Sequence, residues 1–260
     1  MSAMPDEPDG EMVDLDVPGG RAEGWVSRPS VGGSHPGVLL FMDAFGIRPQ
    51  IQQMAQRIAS WGYVVLAPNV FHRDGRVADL AQSGDLRDPD VREAAFGLVM
   101  PRVRALTGDV AGPDVEAYVD ALRALPGVAD GPIGVTGYCM GARLAVRAAC
   151  LRPDDVAACG GFHGGGLATD APDSPHLGLP GARASFFFGH ADADRSMPPE
   201  AIARLDQALD EAGLEHVTEV YPGAPHGYTM ADTSSYDETA AELHYAALED
   251  LLGRTLRRAG

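Results

Sequence analysis

Along this chain, short unbroken apolar runs alternate with stretches whose apolar positions recur every three or four residues. Val38-Leu39-Leu40-Phe41-Met42 is one such run, with the length and composition of a strand buried on both faces. In residues 49–61, Ile51, Met54, Ala55 and Ile58 fall on one face of a helix that Gly62 closes. Residues 63–67 are apolar again and stop at Pro68. Strand, helix and strand in this order make the unit of a parallel sheet. The alternation recurs downstream. Strands are predicted at 132–136, 156–160, 184–188 and 216–220, and helices from 139 through Arg147, at 198–212 and at 235–252. Two more helical stretches, 90–106 and 109–125, are parted by Thr107-Gly108 and interrupted by Pro101 and Pro113. At the front, 11–17 and 21–28 read as two strands of a hairpin joined by Pro18-Gly19-Gly20, and residues 1–10 as a disordered leader. Residues 69–90 are a long irregular stretch of the kind that tends to be functional or mobile. No repeat or linker interrupts the pattern. The expected fold class is therefore α/β: one domain over 11–260, with a mostly parallel sheet covered by helices on both faces and an N-terminal antiparallel hairpin.

Composition narrows the function. The chain has 260 residues, enough to bury a substantial core. Its formal net charge of -17 argues against a nucleic-acid partner, which would want a basic face. No apolar run reaches the length of a membrane span, and the acidic, Pro-containing start is not a secretory signal, so a cytoplasmic location is expected. Three cysteines without close spacing make neither a disulfide framework nor a metal site, and no His/Asp set has ligand-like spacing. Neither metal nor cofactor is expected. Cys150 and Cys159 sit in Ala-rich apolar surroundings and read as packing residues.

Cys139 is different. It lies in Gly137-Tyr138-Cys139-Met140-Gly141, where an apolar strand meets an Ala-rich helix. Glycines on either side permit a sharp strand-to-helix turn, with the middle side chain at its tip. The start of a helix carries partial positive charge, which favours a thiolate there. An activated nucleophile needs a base, and the base needs an orienting group. His226, in the Gly/Pro-rich loop Tyr221-Pro222-Gly223-Ala224-Pro225-His226-Gly227, follows the last strand and supplies the base. Phe188-Gly189-His190-Ala191-Asp192-Ala193-Asp194 offers two aspartates just after a buried strand. Nucleophile, acid and base then follow in the chain order of the α/β-hydrolase fold.

With these motifs the chain resembles the dienelactone hydrolase family. Gly137-Tyr138-Cys139-Met140-Gly141 matches the family's elbow, Pro225-His226-Gly227 its terminal histidine loop, and the 41–46 segment its early acidic motif, so the resemblance covers roughly 11–253. It implies an ester or lactone hydrolase with a Cys-His-Asp triad, no metal or cofactor, and a thioester intermediate. The family spacing Asp-x-x-x-Pro is met by Asp194 and Pro198, which selects Asp194 over Asp192. The backbone N–H groups of Met140 and Ala44 are the implied oxyanion donors. Asp43, Phe45, Arg73, Tyr138 and His163 are the implied pocket residues, and Arg73 and Arg143 are the candidate cations for an anionic substrate. The chain departs from the family at Asp43, where the family has Glu. A carboxylate there would oppose ionisation of the thiol. The expected partner is a small-molecule ester or lactone, and the protein a monomer or homodimer. Competing readings are a thioesterase or general carboxylesterase on the same scaffold, or a non-catalytic binding protein that retains the fold.

Overall fold

The computed structural model describes residues 10–256, so the leader expected at 1–10 lies, but for Gly10, outside the described residues. The elements run β1 (Glu11–Val17), β2 (Gly20–Ser27), β3 (Gly37–Phe41), α1 (Pro49–Ser60), β4 (Val64–Pro68), α2 (Pro89–Ala105), α3 (Gly108–Ala124), β5 (Ile133–Tyr138), α4 (Met140–Leu151), β6 (Val156–Phe162), a 3₁₀ turn (Pro175–Gly181), β7 (Ser185–Ala191), α5 (Pro199–Glu211), β8 (His216–Tyr221) and α6 (Glu238–Leu256). The strands form one 8-stranded sheet in the order β1-β2-β4-β3-β5-β6-β7-β8. β1 and β2 pair antiparallel, as does β2 with β4; every later pairing is parallel.

The apolar runs become the middle of this sheet for a physical reason. β3, β4 and β5 are buried at every position because helices cover both faces. α3 and α4 pack on one face, and α1 and α6 on the other. Arg57 of α1 grips Glu242 of α6, and Trp61 stands edge-on to Tyr245 at 6.0 Å. Strand order places the carboxyl ends of β3, β5, β6, β7 and β8 along one edge, where doubly covered sheets hold their ligands.

The structure departs from the sequence reading at several boundaries. β6 runs through Gly160 and Gly161 instead of ending there, because these glycines serve packing. A Cβ on Gly161 would come within 2.7 Å of Phe188, and one on Gly160 within 3.1 Å of Leu248. β7 likewise continues to Ala191. Helices α2 and α3 pass through Pro101 and Pro113 unbroken. Both prolines are exposed, so the carbonyl left without its N–H partner can meet water. α6 begins three residues late, at Glu238, where the Asp237 carboxylate accepts the Ala240 N–H at 2.9 Å.

Candidate active site

β5 ends at Tyr138 and α4 begins at Met140, so Cys139 alone makes the turn. It does so with φ 55, a left-handed conformation that costs a non-glycine residue roughly 1–3 kcal/mol. The flanking glycines make the turn possible. A Cβ on Gly137 would stand 2.1 Å from the Gly141 carbonyl oxygen, and one on Gly141 would stand 2.4 Å from that of Phe41. The Cys139 N–H donates to Phe162 O at 3.1 Å, tying the tip to β6. Only two other described non-glycine residues have positive φ, His163 (38) and Ala193 (52), and they follow β6 and β7 at the same edge.

Three loops deliver three side chains to one line. His226 Nε2 lies 3.0 Å from Cys139 Sγ, and His226 Nδ1 lies 2.6 Å from Asp194 Oδ2. The other Asp194 oxygen accepts from the Ser196 N–H at 2.8 Å and from its hydroxyl at 2.7 Å. Burial of His226 disfavours its charged ring, but charge on the Cys139 sulfur and the Asp194 contact outweigh it and push the pKa up to about 10. Burial also opposes the charged form of Asp194, yet His226 and Ser196 hold it below the usual carboxylate range. Asp192 stands apart: exposed, its carboxylate accepts the Gly223 N–H at 2.9 Å and braces the His226 loop.

Around the sulfur is a narrow cavity of about 20 Å³, room for roughly one water. Asp43, Ala44, Phe45 and His163, all expected from the sequence, line it with Cys139 and His226. His163 is fully buried; its Nε2 lies 2.7 Å from Thr229 Oγ1, and burial holds its pKa well below the ordinary value, so the ring is neutral. Met140 opens α4, and the N–H of a first helical residue has no acceptor within its own helix. Asp43 is engaged more fully than the sequence suggested. Its carboxylate receives both Nη groups of Arg48, at 2.6 and 3.0 Å, and the Phe45 N–H at 3.1 Å. Arg48 Nε in turn donates to Asp232 at 2.6 Å.

Two expected pocket residues are elsewhere. Tyr138 is fully buried on the far side of its strand, its hydroxyl 3.2 Å from His244 Nε2 and its ring stacked on Phe162. The side chains of neighbouring strand residues point to opposite faces, so the residue beside the elbow tip faces α6. Arg73 is held in an ion pair with Asp114 of α3 and donates to Pro18 O at 3.1 Å. It fastens the hairpin turn to a helix and does not reach the cavity; nor does Arg143 line it. The cation that does is Arg92 of α2, together with Phe96, and neither was picked out from the sequence. Arg92 is half-buried, with a buried Nε that lacks a hydrogen-bond partner. Phe96 meets Phe45 edge-on at 6.4 Å, and Phe45 also borders a larger cleft of about 660 Å³ walled by Arg48, Gln50, Gln53 and Asp85. Among the described residues no group of three or more His, Cys, Asp or Glu is placed to hold a metal ion, and no helix is long and apolar enough to cross a membrane.

Known proteins share this architecture. A protein of Synechocystis sp. named "Putative carboxymethylenebutenolidase" is 25% identical over 237 residues, spanning 90% of this chain and 92% of its own. Among solved structures, the "Putative Dienelactone Hydrolase" of Klebsiella pneumoniae superposes with a TM-score of 0.79 at 20% identity, covering 94% of this chain and 98% of its own. The dienelactone hydrolase of Anabaena variabilis gives 0.68 at 20% identity, over 96% of this chain and 100% of its own. At that identity the solved structures speak for the α/β-hydrolase fold. The dienelactone hydrolase family model matches residues 23–256, and the chain belongs to this family of ester-cleaving hydrolases.

Proposed function

We propose that this enzyme cleaves a small ester or lactone of the dienelactone type through Cys139, His226 and Asp194. The observation that carries the reading is the unbroken line Asp194–His226–Cys139, at 2.6 and 3.0 Å. In this mechanism the Cys139 sulfur attacks the acyl carbon, and the oxyanion is received by the N–H groups of Met140 and Ala44. Collapse breaks the C–O bond, and the His226 imidazolium gives its proton to the leaving oxygen, which leaves a thioester. Acylation removes the negative charge from the sulfur, one of the causes that hold the His226 pKa high. The ring, still oriented by Asp194, is then released to act as base and draw a proton from the water that attacks the thioester. The product acid departs and the thiolate–imidazolium pair is restored.

Arg92 takes the place expected for Arg73. A half-buried guanidinium without a carboxylate partner among the described residues, on the wall of a cavity that contains the sulfur, suits a substrate that carries its own carboxylate. The adjoining cleft mixes charged and amide side chains with Phe45, Ile47 and Leu86, which suits a substrate with a polar part beside an apolar one. The test is hydrolysis of a panel of small esters and lactones, with Cys139→Ala as control and mass spectrometry to look for an acyl group on Cys139. Loss of turnover in the variant and an acyl adduct on the wild-type thiol are expected. Full activity in Cys139→Ala would sink the mechanism, and no turnover of any panel member would favour a binding protein.

A further inference from the structure

A second cavity, of about 280 Å³, lies among the end of α2, the start of α3, α4 and residues 166–175. It shares no lining residue with the cavity around Cys139. Arg104 comes from α2, and Arg143 and Arg147 come from successive turns of α4; Asp173 is the one carboxylate on the wall. All 20 basic residues of this chain are arginine, set against 37 acidic ones. In such a chain arginines readily find carboxylates, and most of the described ones do. Arg143 does not: mostly buried, its recorded hydrogen bond is a long one of 3.5 Å to Val103 O. Arg104 likewise makes no ion pair among the described residues, and its side chain is accessible.

The lone carboxylate is already committed. Asp173 accepts the Gly108 N–H at the start of α3 at 2.8 Å and Arg147 Nη2 at 3.4 Å, while its carbonyl accepts Arg147 Nη2 at 2.5 Å. Gly108 makes that approach possible, since a Cβ there would stand 2.8 Å from Arg147 Nη1. Thr107 is the N-cap of α3, yet its hydroxyl makes no capping bond. The wall thus presents three guanidiniums, one carboxylate and a hydroxyl not used as a cap: a net of two positive charges in an acidic protein.

We infer that this cavity is a binding site for a phosphate-type dianion, held by Arg104, Arg143 and Arg147 with the Thr107 hydroxyl. Guanidiniums on two helices and a hydroxyl on the connection between α2 and α3 surround a volume, which suits the several oxygens of a tetrahedral anion. A planar carboxylate is satisfied by one guanidinium fork. The volume admits inorganic phosphate or the phosphate end of a small phosphorylated metabolite.

The two cavities share no lining residue, although Arg143 also feels charge on the Cys139 sulfur, and the test reads binding and does not depend on turnover. Inorganic phosphate is titrated into the full-length protein at constant ionic strength, with binding read by calorimetry and by the shift of the thermal midpoint. Saturable binding is expected, weakened at least tenfold in Arg143→Gln and in the accessible Arg104→Gln, and unchanged in Arg92→Gln and Cys139→Ala. Malonate is expected to bind at least tenfold more weakly than phosphate. Binding that does not saturate, or that survives both Arg104→Gln and Arg143→Gln, overturns the inference. So does binding lost in Arg92→Gln alone, which would place the anion in the catalytic cavity. Malonate binding as tight as phosphate would overturn the assignment of the ligand class.

Discussion

Two aspartates two residues apart do different work, and the difference is one of surroundings. Asp194 is the carboxylate within 2.6 Å of His226, whereas exposed Asp192 spends its charge on a backbone N–H. Asp194→Asn should therefore cost at least about a hundredfold in kcat, and Asp192→Asn only a few-fold through loosening of the loop. Steady-state kinetics on one ester decide it, and the reverse ranking would move the orienting role to Asp192. Arg48 is the second residue on which much turns. It is the cation for Asp43, whose side chain is only 5% exposed, and for Asp232 from the loop that bears His226. Arg48→Ala strands a buried carboxylate, so a loss of about 3–5 kcal/mol in stability is expected from urea unfolding. The loss should be smaller in Arg48→Ala/Asp43→Asn, where the stranded charge is gone. The expectation that Asp43 would act as a free negative neighbour of the thiol changes accordingly, because its carboxylate meets a guanidinium at 2.6 Å.

Among the elements, α2 buries little: Ala95, Val99 and Val103 alone, with Leu98 74% exposed. Yet it places Arg92 and Phe96 on the wall of the cavity that contains the sulfur. Phe96→Ala should widen that cavity and raise kcat/KM several-fold for bulky esters relative to acetate esters. An unchanged ratio would show that this ring does not limit access. The contrast between α2 and the elbow explains what could be read in advance. The elbow is local chemistry: glycines that allow a turn, an apolar strand before it and a helix after it, all within ten residues. His226 and Asp194 were legible for the same reason, since each follows a recognisable strand. Arg92 and Phe96 reach the site only through the packing of a helix with a weak apolar stripe, and nothing adjacent in the chain marks them. Arg73 was misplaced for the converse reason. It sits near a motif in sequence, but its partner Asp114 lies 41 residues away. Tyr138 shows a subtler limit, since one step along a strand sends a side chain through the sheet to the other face.

For the molecule as a whole, a mostly parallel sheet covered by helices on both faces followed from the alternation of apolar runs and amphipathic stretches, whereas the strand order came only with the structure and the glycines of β6 misled because they mark close packing. The interior also holds neutral histidines. Burial pushes His190 down to about 4 and His244 to about 3, and holds His163 well below its ordinary value. In the unfolded chain these rings titrate near 6.5, so below that pH the unfolded state binds more protons and stability falls as the medium becomes acid. Each contributes a slope of up to about 1.4 kcal/mol per pH unit between pH 6.5 and its folded pKa. His226 has the opposite sign: its contribution is complete below about 6.5 and is lost as pH rises through about 10. Urea midpoints should therefore fall steeply from pH 6.5 to 4.5. In His190→Phe, which removes a ring with no hydrogen-bond partner on either nitrogen, that fall should be shallower by close to one proton. The line of contacts from acid to sulfur has one more consequence. Cys139 and His226 are 87 residues apart, and the histidine follows the strand at the sheet's far edge. A ribosome must therefore complete most of the chain before the sulfur meets its partner. Until then the growing polypeptide carries Cys139 with no histidine beside it, and in the proposed mechanism the added reactivity that His226 would lend the sulfur comes only once the sheet has closed around it.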